Sequence, residues 1–303
     1  MQWRKKGVIY CPNGEAEWMQ HSFLNPVPIL MGEKIRLFGG IRDKDGISRI
    51  GFIEVSAENP NNVLYVHKEP VLDIGESGMF DDNGVAPTYI LKKGNEWYIY
   101  YAGYCLLNKV RFSVFTGLAI SKDNGLTFVR YQDFPITDRR SNESLFRVIH
   151  TIHYDENKYK VWYGAGNCFI EGKYKTLPVY DIRYMESKDG INFPDYGTIV
   201  IQIPNGYHRV GRPWVYKENG IYNMLYGYGS EEYPYKLAYA ISQDGIHWDN
   251  QPINIDISAH DNSFDGQMMA YPSFIRINGR GFLFYNGNGM GKTGVGYAEL
   301  LEN

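Results

Sequence analysis

One short turn sequence recurs three times in the chain, and it constrains the fold more than any other feature. Each copy combines a serine, an aspartate two residues later and a glycine, and ends on an aromatic residue; the copies are Ser121–Phe128, Ser187–Phe193 and Ser242–Trp248. Aspartate can accept a hydrogen bond from the backbone two residues on, and glycine supplies the positive φ of a chain reversal. Because each copy follows a short apolar run, the pattern predicts a strand, a turn and a returning strand.

A pattern of three consecutive strands recurs five times along the chain, and the first copy covers residues 25–31, 34–40 and 49–54. The third strands recur roughly every 55 to 66 residues, which suits four-stranded sheets with loops; they contain Phe52, Leu118, Tyr184, Tyr239 and Tyr297. We therefore expect an all-β fold, a five-bladed β-propeller forming one domain over residues 1–303. The last repeat is too short for a fourth strand, so the segment Trp3–Tyr10 is predicted to complete that blade and remove its free edge.

Composition excludes several classes of function. The 303 residues include 31 basic and 34 acidic ones, a net charge of -3 that gives no reason to expect nucleic acid or an anionic membrane as a partner. Three scattered cysteines and the absence of a long apolar segment near Met1 predict reduced thiols in a cytoplasmic protein. The seven histidines show no metal-ligand spacing, so neither a metal nor a cofactor is expected.

Several short stretches together resemble the glycoside hydrolase superfamily of five-bladed propellers that contains families 32, 43, 68 and 130. Within it, the chain looks most like uncharacterised glycosidase-like proteins of bacterial surface-polysaccharide gene clusters. The stretches that carry the resemblance are Ile41–Asp43, Phe80–Val85, Gly211–Trp214, Met269–Pro272 and Tyr285–Gly289. The resemblance implies a central pocket, an enzyme acting on a glycosidic bond, and a small-molecule or oligosaccharide substrate.

Glycoside hydrolysis usually requires two carboxyl groups, and the chain departs from the family 43 arrangement of these acids. Asn25 stands where that family has an acid on the first blade, and Arg212 occupies the region of another. Neither side chain can serve as a general acid or base near neutral pH. The remaining candidates for the catalytic acid or base are Asp82 first, because it precedes an inner strand beside a glycine, and then Asp43 and Glu143.

Side chains at the starts of the inner strands and in the loops that follow are expected to converge on the pocket. The predicted substrate-binding residues are Asn25, Arg42, Asp81, Arg147, His150, His208, Arg209, Arg212, Gln267, Tyr271, Asn286 and Asn288. The arginines among them would suit phosphate or carboxylate oxygens, so an anionic or phosphorylated sugar is the expected ligand. The alternative is that these arginines pair with Asp43 and Asp82 and join the blades.

Three further functions remain open at this stage. The same fold supports glycoside phosphorylases, as in family 130, and it could support glycosyl transfer. A non-catalytic glycan-binding propeller is also possible, because Asn25 and Gln267 stand where an enzyme could carry acids. A sialidase would share the aspartate turns and the arginine cluster, but that fold has six blades.

Overall fold

The computed structural model describes residues 1–256 and 262–301, and within them almost all regular structure is β-strand. Strand β1 spans Gln2–Tyr10. The first sheet follows with β2 (His21–Met31), β3 (Lys34–Arg42), β4 (Ser48–Ser56) and β5 (Val63–Val66). The second contains β6 (Val85–Lys93), β7 (Glu96–Leu106), β8 (Phe112–Ser121) and β9 (Val129–Arg130).

The third sheet contains β10 (Phe146–Asp155), β11 (Lys158–Glu171), β12 (Thr176–Ser187) and β13 (Thr198–Ile201). The fourth contains β14 (Arg209–Glu218), β15 (Ile221–Gly229), β16 (Lys236–Ser242) and β17 (Asp249–Gln251). The remaining elements are β18 (Asn254–Asp256), α1 (Asn262–Asp265), β19 (Ala270–Ile277), β20 (Arg280–Asn286), α2 (Asn288–Gly291) and β21 (Val295–Leu300). No helix in the described ranges has the length and apolar character needed to span a membrane.

Within each sheet, consecutive strands pair antiparallel. A fifth group of strands, β19 to β21, follows the four sheets in the chain. The first strands of these groups, β2, β6, β10, β14 and β19, contact one another in chain order, and β19 contacts β2. Short parallel pairings of β8 with β10 and of β12 with β14 connect the second, third and fourth sheets into one 12-stranded sheet. The start of each sheet therefore lies against the start of the next, and the last lies against the first.

Strand β1 belongs to the sheet formed by the end of the chain. It pairs antiparallel with β21, from Trp3 opposite Leu300 to Tyr10 opposite Val295, and parallel with β18. Trp3 is buried, and Lys5 forms an ion pair with Asp265 at 3.0 Å. This is the sheet in which the sequence analysis placed the segment Trp3–Tyr10.

The repeated turn lies between the third and fourth strands of the second, third and fourth sheets. In the first copy, the Ser121 hydroxyl accepts a hydrogen bond from the Gly125 amide at 2.8 Å, and Asp123 accepts bonds from the next two amides. Later copies pack against the preceding sheet: the Trp162 indole donates to the Gly245 carbonyl at 2.8 Å. The turn thus joins neighbouring sheets and has a structural role.

Each first strand carries a β-bulge near its beginning, where one or two residues have no partner on the next strand. The residues without a partner are Asn25–Pro26, Thr88, His150, Arg212–Pro213 and Tyr271–Pro272. A bulge redirects side chains, and these five lie at matching positions of five strands. Pro26, Pro213 and Pro272 therefore occupy matching positions in three of these bulges.

Candidate functional site

A cavity of about 220 Å³ lies where the beginnings of the first strands meet. Its polar lining is Asn25, Arg42, Tyr104, Arg111, His150, Tyr180, Arg209, Arg212, Tyr235 and Tyr271. A group of apolar residues from the second and third sheets, called the apolar wall, also lines it: Ala102, Phe112, Val114, Phe146 and Val148. Among the described residues that line the cavity, none carries a carboxylate. The lining therefore combines cationic and apolar side chains.

The backbone at this site is held in an unusual conformation. Asn25, Arg212 and Tyr271 have φ values of 51°, 56° and 56°, in the left-handed region that residues other than glycine seldom adopt. All three lie in the bulges, and all three line the cavity. Strained backbone of this kind persists when the surrounding structure enforces it, and it concentrates at functional sites.

Asn286 holds the first of these bulges in place. Its side-chain oxygen accepts a hydrogen bond from the Asn25 amide at 2.9 Å, and its amide nitrogen donates to the Phe23 carbonyl. Asn288 has a comparable role in a neighbouring loop, where its side-chain oxygen accepts bonds from the Gln267 and Met268 amides, each at 2.9 Å. Asn286, Asn288 and Gln267 therefore position the backbone around the cavity and do not line it.

Three of the four cavity arginines, Arg111, Arg209 and Arg212, are held by backbone oxygens and aromatic rings. Arg212 donates to the Thr88 carbonyl at 2.8 Å, Arg209 to the Ser230 carbonyl at 2.9 Å and Arg111 to the Thr176 carbonyl at 3.0 Å. No cavity arginine forms an ion pair with any residue in the described part of the chain. Arginines elsewhere do form such pairs, as Arg36, Arg49, Arg130 and Arg183 show.

Several nitrogens of these side chains are buried without a hydrogen-bond partner in the described structure. They are Nε of Arg42, Nε of Arg209, Nε and Nη2 of Arg212, and Nδ1 of His150. The Arg212 side chain is almost fully buried, with 3% of the residue exposed. Buried charges are normally paired, so the arginine nitrogens among them lack the compensation that buried cations usually have.

Burial and mutual repulsion shift the pKa values of the cavity groups. Burial lowers the pKa of Arg212 to about 9, and burial together with the nearby Arg209 charge lowers the pKa of Arg111. Burial, reinforced by the Arg212 charge, also holds the pKa of His150 well below 6.5, so His150 is neutral at pH 7. An anion in the cavity would oppose each of these shifts.

Tyrosine hydroxyls are the other protic groups of the cavity. Tyr180 and Tyr235 hydrogen-bond to each other through their hydroxyls, and the Arg209 guanidinium lies 4.5 Å from the centre of the Tyr235 ring. The Tyr271 hydroxyl contacts the Met290 sulfur at 3.2 Å. Burial raises the pKa of Tyr271, and the surrounding arginine charges lower it in part. Tyr271 is therefore a protonated donor at neutral pH.

None of the three predicted catalytic carboxylates lines the cavity. Asp43 pairs with Arg49 at 2.8 Å and accepts hydrogen bonds from the amides of its own loop. Glu143 is fully buried between Arg147 at 2.6 Å and Arg183 at 3.0 Å. Each of these carboxylates is neutralised by arginines outside the cavity. Of the two arginines that could pair with Asp43 at the surface, Arg42 and Arg49, it is Arg49 that does so.

Asp82 differs from the other two because it forms no ion pair with any described residue. Its side chain is partly exposed and accepts a hydrogen bond from the Gly78 amide at 2.9 Å. The next residue, Asn83, donates its amide to the carbonyl of Tyr104, a cavity residue, at 3.0 Å. Asp82 thus lies one residue from the backbone of the cavity wall.

Six of the predicted substrate-binding residues line the cavity: Asn25, Arg42, His150, Arg209, Arg212 and Tyr271. Three others lie outside it for identifiable reasons. Asp81 is buried against Arg130 at 2.8 Å, and Arg147 is engaged by Glu143. His208 makes a hydrogen bond through Nδ1 to the Pro178 carbonyl at 2.7 Å, behind the lining. The partners of Asp81 and His208 come from other strands, which a single strand's sequence does not reveal.

Sequence reasoning did not select Arg111, Tyr180 or Tyr235 as site residues. Arg111 lies at the tip of the β7–β8 hairpin, and Tyr180 belongs to a third strand, whereas first strands were the expected source of ligands. Tyr235 precedes β16 in a loop rich in polar residues. The available signal was the clustering of tyrosines around Arg209, which becomes visible only when the sheets are assembled.

Comparison with solved structures assigns the fold to a known class. The chain superposes with a TM-score of 0.74 on a glycoside hydrolase, at 18% identity and with 99% of this chain and 92% of that chain covered. A thermostable family-43 glycoside hydrolase gives 0.67, at 18% identity and with 97% and 94% covered. A structure from the GH130 family of mannoside phosphorylases gives 0.69, at 15% identity and with 98% and 93% covered. The chain therefore has the propeller-like all-β fold of these glycoside hydrolases.

The family itself follows from sequence identity. The chain is 31% identical over 305 residues to the uncharacterized protein Rv1502 of Mycobacterium tuberculosis strain H37Rv, with both chains covered completely. It matches the uncharacterized protein MT1551 of strain CDC 1551 at the same identity and coverage. The chain therefore belongs to the family of Rv1502. No protein-family model matches it.

Proposed function

We propose that this protein is a carbohydrate-active enzyme of the glycosidase type, and that its cavity binds the anionic part of a sugar substrate. The observation that carries the proposal is the set of four arginines, Arg42, Arg111, Arg209 and Arg212, which surround one cavity without an ion pair to any described residue. Arginine forks suit the oxygens of phosphate and carboxylate groups. The likeness of the fold to glycoside hydrolases supports a sugar as the ligand.

The proposal includes the finer architecture of the chain. A single five-bladed propeller over residues 1–303, completed by β1 in the last blade, explains why β2, β6, β10, β14 and β19 contact one another cyclically. It also explains the pairing of β1 with β21. In a propeller the first strands surround the axis, so the cavity is the central pocket.

Asp82 is the carboxylate we assign to proton transfer. It lacks an ion pair in the described structure and lies beside the cavity wall at Tyr104, whereas Asp43 and Glu143 are committed to arginines. In this reaction Asp82 would protonate the leaving oxygen as the glycosidic bond breaks, and phosphate, or a water molecule that loses its proton to solvent, would attack the anomeric carbon. Asp43 and Glu143 would then act only through the loops that they hold.

The lining also favours a second candidate function, glycan binding without catalysis. A cavity whose described lining contains arginines and tyrosines but no carboxylate can bind an anionic sugar without cleaving it. Phosphorolysis and glycosyl transfer are also compatible with this lining, because both need fewer protein carboxylates than hydrolysis does. Transfer of the sugar to phosphate would use the arginines to hold the nucleophile.

The redox state of the three cysteines indicates the compartment in which the protein acts. Cys11, Cys105 and Cys168 are all free thiols. Free thiols are typical of a reducing compartment, which supports action in the cytoplasm.

The experiment is a turnover assay on acidic oligosaccharides, sugar phosphates and nucleotide sugars, each with and without phosphate, with products identified by mass spectrometry. We expect a new reducing end or sugar phosphate from one class, and loss of that product in Asp82→Asn. Asp45→Asn, a change in an exposed loop, serves as the matched control. Binding of an anionic sugar without any product would establish the second candidate, and failure to bind any anion would refute both.

A further inference from the structure

The charge in the cavity exceeds what a singly charged ligand can balance. Four arginines converge on it, none of them paired with an acid in the described chain, and His150 is held neutral beside them. Unpaired buried charges are costly, and the cost falls as ligand charge approaches that of the site. A ligand with two negative charges therefore matches this site better than a carboxylate does.

The number of buried arginine nitrogens without a partner favours a phosphoryl group over a carboxylate. Arg212 offers Nε and Nη2, the two adjacent donors of one fork, while Arg42 and Arg209 each offer Nε. Arg42 lies at the end of β3, whereas Arg209 and Arg212 both lie in β14. A carboxylate presents two oxygens in one plane, whereas a phosphoryl group presents three oxygens around a tetrahedron.

The rest of the cavity indicates what carries this group. Phe112 and Phe146 of the apolar wall pack edge to face with ring centres 5.7 Å apart, and both contribute carbon surface to the cavity. Aromatic rings of this kind bind the apolar face of a ring-shaped ligand. A volume of about 220 Å³ is below the range typical of drug-sized ligands, so it suits one ring and its charged group.

We infer that the cavity binds a monosaccharide phosphate, with its dianionic phosphoryl group against Arg42, Arg209 and Arg212 and its ring against Phe112 and Phe146. The inference rests on the proposed function and names the ligand class of that same cavity. The arginines bind the phosphoryl group, and the apolar wall binds the ring that bears it.

Three commercially available probes separate these tasks in titration calorimetry at pH 8 and low ionic strength, where phosphate monoesters are dianions. Phenyl phosphate carries both parts, benzoate keeps the ring but has a planar monoanion, and inorganic phosphate has no ring. We expect phenyl phosphate to bind at least tenfold more tightly than either of the other two. The full chain is used throughout.

Variants connect the binding to the residues. Arg212→Gln and Arg209→Gln are each expected to weaken phenyl phosphate binding at least tenfold, whereas Arg139→Gln, at an exposed arginine outside the cavity, leaves it unchanged. Phe112→Ala should remove the advantage of phenyl phosphate over inorganic phosphate. Arg209→Lys keeps the charge and provides a second, milder change if the glutamine variants do not fold.

The possible results distinguish failure of the monosaccharide phosphate assignment from failure of the proposed anion site. Equal affinity for benzoate and phenyl phosphate would overturn the phosphoryl assignment and leave the proposed anion site intact. Equal affinity for inorganic phosphate and phenyl phosphate would overturn the sugar-borne assignment and make free phosphate the ligand. If none of the three probes binds, both this inference and the proposed anion site fail.

Discussion

Arg212 donates a hydrogen bond to the carbonyl oxygen of Thr88 at 2.8 Å, and the two residues lie 124 positions apart in the sequence. Both occupy β-bulges, one in the first strand of the fourth sheet and one in the first strand of the second. The bond fixes the Arg212 guanidinium at the cavity while Nε and Nη2 remain without partners in the described structure. A buried charge is thus held in place by a neutral group.

We expect Arg212→Met to cost little stability in the absence of ligand. The change removes an unpaired buried charge and one hydrogen bond to a carbonyl, and these effects oppose each other within about 1 kcal/mol. Arg183→Met is the matched comparison, because Arg183 pairs with both Glu143 and Asp181. Breaking such pairs costs about 3–5 kcal/mol, measured as the free energy of unfolding in urea. Equal losses in the two variants would contradict the assignment of Arg212 to ligand binding.

Tyr235 is expected to position Arg209 through its ring and not through its hydroxyl. The guanidinium lies 4.5 Å from the ring centre, and the side chain is buried. Tyr235→Leu removes the aromatic face, so we expect affinity for phosphate probes to fall about tenfold, which corresponds to roughly 1.4 kcal/mol. Tyr235→Phe keeps the face and should stay within about threefold of the wild type. A larger loss in the phenylalanine variant would show that the hydroxyl contacts the ligand.

Glu143→Gln should lower stability and leave anion binding unchanged. The carboxylate accepts a hydrogen bond from the Tyr163 hydroxyl at 2.7 Å and neutralises Arg147 and Arg183, away from the cavity. Its neutral replacement leaves two buried arginines with less compensation, at a cost of about 3–5 kcal/mol in urea unfolding. Loss of turnover at full stability would instead support a catalytic role for Glu143.

The sequence predicted features that depend on neighbouring residues better than features that depend on contacts between strands. The spacing of Ser-x-Asp turns placed the third strands, because aspartate and glycine in a turn act through the backbone beside them. The same reasoning selected Arg212 and Tyr271, which stand next to prolines at strand beginnings. Arg147 and Arg209 were both expected at the pocket, but Arg147 pairs with Glu143 four residues earlier, whereas Arg209 lines the cavity.

Asp43 was predicted to belong to the site but lies outside the cavity, whereas Tyr180 was not predicted but lines it. Asp43 follows the cavity residue Arg42 in the sequence, yet its side chain pairs with Arg49. Tyr180 lies in a third strand and meets Tyr235 of the next sheet. In both cases the partner is set by how strands and sheets pack, and strand periodicity alone does not encode that packing.

The pairing of β1 with the last sheet can be tested through two adjacent lysines. Lys5 pairs with Asp265, and both side chains are buried, whereas the pair between Lys6 and Glu299 is partly exposed. Lys5→Met should therefore cost about 3–5 kcal/mol in urea unfolding. Lys6→Met should cost less than about 1 kcal/mol. Adding Asp265→Asn to Lys5→Met removes the unpaired charge and should recover part of the loss. Equal effects at the two lysines would argue against β1 as an integral strand.

Acid should destabilise the protein in a pH range set by its histidines. Burial lowers the pKa of His150 well below 6.5, with a further contribution from the Arg212 charge. Burial also lowers the pKa values of His153 and His208, although hydrogen bonds to carbonyls oppose this in part. As the pH falls below about 6.5, the unfolded chain binds protons that the folded state does not, so the free energy of unfolding decreases.

Proton linkage gives the size of this acid destabilisation and a variant that tests it. Each histidine that stays neutral in the folded state removes up to about 1.4 kcal/mol per pH unit below its unfolded pKa. His150→Asn cannot titrate, so its free energy of unfolding, measured in urea between pH 7.5 and 5, should fall with a slope lower by about one proton. Asp189 and Asp244 have pKa values lowered by hydrogen bonds that outweigh their burial, so their contribution is lost only at more acidic pH. An unchanged slope in His150→Asn would mean that His150 protonates in the folded state and carries a positive charge beside Arg212.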